Sequence, residues 1–137
     1  MDPAGPGFES KDLNENRLRA DDADYVECIH TNGKTLGVME PICMTDFYPN
    51  FGRKQPGCNI FTRDLCSHSR AWKYYAESLV SNFTATECES MNEIKNEIPC
   101  NGTEILMGGD DIEAKRNVTG VFFLSTNDEP PYSRQKF

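Results

Sequence analysis

Apolar residues along the chain come in short bursts separated by long polar stretches. Residues 25–30 alternate enough to predict a strand, closed by the turn pair Asn32-Gly33. Asp46-Phe47-Tyr48 predicts a second short strand, ended by Pro49-Asn50. Residues 55–64 read as a surface loop bounded by Cys58 and Cys66. The clearest helix begins near Ser67, a good N-cap type. Trp72, Tyr75, Ala76 and Leu79 follow at i, i+3, i+4 and i+7 and make one apolar face, with Asn82 just past the helix end. Residues 118–124 predict the last strand. Residues 2–24 are rich in Pro, Gly and charge and read as loop, and residues 88–100 as a polar loop. Residues 127–137, through Pro130-Pro131, read as a flexible tail. No internal repeat is present.

Two or three strands and one good helix are too little regular structure to bury a sheet. A chain of 137 residues has room for one small domain or part of a larger one, and the sparse pattern favours the second. The apolar fraction, 37%, is low for a globular domain, and long polar connections account for it. The longest apolar run, Val121-Phe122-Phe123-Leu124, is strand-sized, far below the roughly 18 residues of a membrane span. A net charge of −8, with no basic block longer than two residues, argues against nucleic acid as a partner.

Composition adds one more constraint. Six cysteines, at 28, 43, 58, 66, 88 and 100, form an even set. Asn82, Asn101 and Asn117 each open an N-x-Ser/Thr sequon. Together they point to an oxidising, secretory compartment. The start of the chain, Met1-Asp2-Pro3-Ala4-Gly5-Pro6-Gly7, has no apolar signal segment. The conflict resolves if the true N-terminus lies upstream and Met1 is internal, and that is the expectation adopted. A cytosolic chain with reduced cysteines is the alternative.

Five blocks stand in order: Asp2-Pro3-Ala4-Gly5-Pro6, Ile29-His30-Thr31, Asp46-Phe47-Tyr48-Pro49-Asn50, Gln55-Pro56-Gly57-Cys58, and Cys66-Ser67-His68-Ser69-Arg70-Ala71. In order and spacing they resemble the pancreatic-lipase family, especially its insect lipase and phospholipase A1 members, over most of the chain. The resemblance implies an α/β fold, the C-terminal part of an α/β-hydrolase sheet spanning residues 1–126 and followed by the tail. It implies a triad in chain order Ser, Asp, His. It places the acid at Asp2, after a core strand, and the base at His68, before the helix. Taken alone, an Asp before Pro is ordinarily a turn former and a His beside a helix start an ordinary surface group. His30, the other histidine, sits in a predicted strand, where a structural role is expected. None of the serines, at 10, 67, 69, 78, 81, 90, 125 and 133, stands in G-x-S-x-G. By the resemblance the nucleophile and both oxyanion donors precede Met1, so this stretch alone is expected to be inactive and its exposed helix face aggregation-prone.

The function implied is hydrolysis of a carboxylic ester of a lipid, a phospholipid or triacylglycerol, at a membrane or micelle surface by a secreted, extracellular protein. The alternative is a lipase-like protein without catalysis that binds lipid or serves as a yolk-type store. An unrelated small disulfide domain is a third reading. In the family, Cys58 and Cys66 close a lid, here enclosing only residues 59–65, which resembles the short-lidded phospholipases. Cys88 and Cys100 match a second family disulfide, and Cys28 with Cys43 follows by elimination. Zinc on Cys58, Cys66 and His68 is disfavoured, because structural sites use close cysteine pairs. The loop that holds calcium in some family members matches residues 14–22, where Asn14 and Arg19 replace acids and Asp22 alone remains. Neither calcium nor any other cofactor is expected.

Overall fold

A computed structural model describes residues 1–9 and 16–135. Five strands form one mixed sheet: β1 (Glu27–Ile29), β2 (Thr45–Pro49), β3 (Thr84–Glu87), β4 (Glu104–Leu106) and β5 (Gly120–Leu124). Their order across the sheet is β1-β2-β5-β3-β4. β1, β2 and β5 run parallel, with Cys28 beside Asp46 and Phe47 beside Phe122. β3 and β4 complete the sheet antiparallel. The parallel half is the apolar half of the sequence, as expected of strands covered on both faces. All five residues of β2 are buried.

Three helices accompany the sheet: α1 (Arg63–Ser78), α2 (Met91–Asn96) and α3 (Ile112–Lys115). α1 covers the sheet with Ala71 and Tyr74, which join Ile29, Phe47, Phe122 and Leu124 in the main core. A second cluster, on Met39, Tyr48, Cys88 and Ile94, lies under α2. Among the described residues, the expectation of two or three strands and one helix is therefore corrected to five strands and three α-helices. β3 and β4 escape notice because they are only three or four residues long and carry few apolar residues; pairing makes them strands. The loop 88–100 contains α2, opened by a capping box in which Ser90 Oγ accepts from Asn92 N–H and Glu93 reaches back to Ser90 N–H.

Two boundaries move. α1 starts at Arg63, so Ser67 is not its N-cap but a buried second-turn residue whose hydroxyl accepts from Gln55 N–H at 3.0 Å. His68 consequently lies inside the helix rather than before it. The segment read as a flexible tail is drawn into the fold as far as it is described. Tyr132 and Ser133 are buried, and both their amides donate to the Glu77 carboxylate, at 2.9 and 2.8 Å. Trp72, Tyr75 and Leu79 are exposed on this chain, while the opposite face of α1 builds the core.

Candidate active site

Asp2 lies 2% exposed, with a backbone φ of 32°, in the left-handed region that a non-glycine residue enters at a cost of roughly 1–3 kcal/mol. The surroundings hold it there. Its amide donates to Ile29 O at 2.7 Å, tying the segment to the end of β1. Its Oδ1 accepts two backbone N–H groups just beyond that strand, Thr31 at 2.8 Å and Asn32 at 3.2 Å. Gly37 leaves room for the carboxylate: a Cβ there would stand 2.4 Å from Asp2 Oδ1.

The second oxygen, Oδ2, accepts from His68 Nδ1 at 2.6 Å, across 66 residues of sequence. A carboxylate that accepts on both oxygens requires the proton on Nδ1, which leaves the lone pair of the neutral ring on Nε2. His68 keeps 35% of its side-chain surface open while Asp2 keeps 1%, so the pair has a buried acid end and an accessible imidazole.

The helix that carries His68 is fixed through Gln55. Its side-chain amide donates to Thr31 O at 3.1 Å and Pro49 O at 2.9 Å, and its Oε1 accepts from Asn50 at 2.8 Å and from the Tyr74 hydroxyl at 3.0 Å. Tyr74 and Asn50 also meet the Thr126 hydroxyl, at 3.0 and 2.9 Å. Burial pushes the Tyr74 phenol up to about 12, opposed by its Thr126 hydrogen bond and by Arg70. The five sequence blocks thus converge on one place.

A family model described as Lipase matches residues 1–132. The chain belongs to the lipase family. It is similar to a Phospholipase A1 of Vespula squamosa, 37% identical over 137 residues, covering 99% of this chain and 45% of that protein. A Phospholipase A1 of Vespa crabro is 35% identical over 143 residues, 99% of this chain and 44% of its own length. One from Polybia paulista reaches 49% over 79 residues, 58% of this chain and 24% of that protein. The chain therefore spans less than half the length of the relatives it matches.

The remaining expected residues of this lipase-family chain fall as follows. Cys58 and Cys66 are bonded and close the short loop ahead of α1. Inside it, Asn59 Oδ1 accepts from Phe61 N–H and Thr62 N–H, both at 3.0 Å, and Ile60 and Phe61 stand 77% and 91% exposed. Cys28 pairs with Cys43 and Cys88 with Cys100. His30 is fully buried with both ring nitrogens engaged, separate from the Asp2–His68 pair. Of the loop matched to calcium binding, Asn14 lies outside the described residues, and Arg19 makes ion pairs to Asp21 at 3.2 Å and Asp22 at 3.9 Å. Asn82, Asn101 and Asn117 are all exposed and stand between elements. No helix among the described residues is long and apolar enough to cross a membrane.

The sequence reading did not single out Thr31, Asn32 or Gly37 as holders of the acid, nor Gln55 as the link to the helix. Thr31 and Gln55 stand inside the family blocks. The backbone donors and the steric role of Gly37 leave no mark on a single sequence.

Proposed function

We propose that this chain carries the acid and the base of a serine esterase acting on lipid esters. The nucleophilic serine is supplied from outside these 137 residues, and an sn-1 phospholipid ester is the preferred substrate. The observation that carries the reading is the 2.6 Å bond from His68 Nδ1 to an Asp2 held by two backbone N–H groups. In the reaction His68 Nε2 takes the serine proton as the hydroxyl attacks the ester carbonyl. It then returns the proton to the departing alcohol, and repeats the cycle with water to free the fatty acid. Asp2 holds the tautomer and offsets the charge of the imidazolium. The relatives named Phospholipase A1 support the substrate class. The short disulfide-closed loop, with Ile60 and Phe61 at its tip, suits an open site at a lipid surface.

By the same reading the chain is the C-terminal part of an α/β-hydrolase domain in a secreted protein. The test is to extend the transcript upstream of Met1, express the full-length protein and assay fatty acid release from sn-1-labelled phosphatidylcholine. Hydrolysis that disappears in His68→Ala supports the proposal. A full-length protein without a G-x-S-x-G serine, or with activity indifferent to His68→Ala, overturns it in favour of a lipid-binding role.

A further inference from the structure

We propose that His30 is a positioning residue: a buried imidazole whose pairing with Asp46 pins the chain segments that hold Asp2. The inference rests on the reading of Asp2 and His68 as acid and base.

Both ring nitrogens of His30 are committed inside the fold. Nδ1 lies 2.8 Å from Val38 O, a carbonyl that only accepts, so Nδ1 carries a proton. Nε2 lies 2.7 Å from Asp46 Oδ1. That oxygen also accepts from Ile42 N–H at 3.2 Å and Cys43 N–H at 3.3 Å, and Oδ2 accepts from Cys43 N–H at 3.2 Å. Asp46 thus gathers the His30 ring and two backbone amides on one carboxyl group. The result is a hydrogen-bonded His–Asp pair with side chains 0% and 2% exposed. The ring stacks on Tyr48 at 4.4 Å and 6°. Tyr48 donates its hydroxyl to Met39 O at 3.0 Å, and burial raises its pKa, which keeps it a neutral phenol. Cys28, near the pair, is tied to Cys43 in a disulfide, so the cluster has no free thiolate to offer a metal.

A buried His–Asp pair adds little net stability compared with well-packed apolar side chains, so its use lies in fixing geometry. Here the fixed groups lead to Asp2 by two routes. Just past the end of β1, His30 is flanked by Ile29, whose carbonyl receives the Asp2 amide, and by Thr31, whose amide grips Asp2 Oδ1. Across the ring, Val38 accepts from His30 through its carbonyl while its own N–H donates to Pro3 O at 2.8 Å, one residue from Asp2. Removing the ring loosens both sides of the acid together. His30 is fully buried with both ring nitrogens engaged, so it does not reach substrate.

The test uses the full-length protein, with NMR of the ring protons and steady-state kinetics. In the wild type, ring N–H protons of His30 should be protected from exchange; rapid exchange refutes the buried pairing without any variant. His30→Leu should lower kcat on the order of 10- to 100-fold with KM little changed, the cost of a misplaced catalytic group, and should shift or broaden the His68 Nδ1 proton signal. His30→Gln, which keeps one donor, should recover part of both. Where His30→Leu does not fold, Asp46→Asn is read by the same two measurements. A folded variant with unchanged kcat and an unchanged His68 signal overturns the proposal. The His68 signal does not depend on ester hydrolysis. A response there in a protein that hydrolyses no lipid ester leaves this inference standing and removes the functional reading.

Discussion

Replacing Asp2 by Asn tests the tautomer argument with the exchange of a single heavy atom. Oδ1 faces two backbone N–H groups, at 2.8 and 3.2 Å, so only an acceptor fits there. The amide oxygen must take that position, which turns the –NH2 toward His68 Nδ1, 2.6 Å from the present Oδ2. Two donors cannot face each other at that distance, so Nδ1 becomes the acceptor and the ring proton moves to Nε2. The nitrogen that must accept the serine proton is then blocked. In serine hydrolases a swap of this kind lowers kcat about 10⁴-fold, or roughly 5.5 kcal/mol of barrier. Asp2 is 2% exposed and does not line a substrate surface, so KM should change little. Stability should fall by only about 1 kcal/mol, since a charge-assisted hydrogen bond becomes a neutral one and none is lost. The assay is initial-rate hydrolysis of sn-1-labelled phosphatidylcholine by the full-length protein, with urea unfolding alongside. A variant that stays folded with kcat within about tenfold of wild type would refute the tautomer argument.

Other outcomes follow from the same geometry. Gly37→Ala places a Cβ 2.4 Å from Asp2 Oδ1 and 2.6 Å from its Cγ, so it should expel the carboxylate, abolish hydrolysis and cost about 1–3 kcal/mol in urea unfolding; unchanged kcat would show that Asp2 need not sit there. Tyr74, pushed up to about 12 by burial, binds its proton more tightly in the folded state, so the stability it contributes is full below pH 10 and is lost as pH rises toward 12. That loss is on the order of 3 kcal/mol, and phenolate absorbance should appear together with loss of tertiary circular dichroism; ionisation well before unfolding would contradict it. Secretion from a eukaryotic host should leave Asn82, Asn101 and Asn117 glycosylated, and peptide N-glycosidase should remove three glycans by mass; a chain with none would count against the secretory reading.

The short apolar bursts determined β1, β2 and β5 to within a few residues, because parallel strands covered on both faces leave compact hydrophobic runs. The helix that carries His68 was legible from its period, though not its start. Thr62 makes no side-chain cap, so the usual start signal is missing, and Ser67 offered a false one. The capping box at Ser90 and Glu93 was present in the sequence and would have located α2. β3 and β4 could not be read that way, since strands of three and four residues are decided by partners far along the chain. Neither could the burial of Tyr132, which depends on Glu77 accepting two amides from the segment around it.

By itself the sequence pointed to the family, the residue types of the proposed acid and base, and, through that resemblance, two of the disulfides. Only the tertiary structure decided that Asp2 and His68 meet, that the ring proton sits on Nδ1, and that His30 is sealed between Val38 and Asp46. The reason is that a motif records side-chain identity, whereas these facts are set by backbone amides, carbonyls and the missing Cβ of Gly37, which no single sequence displays.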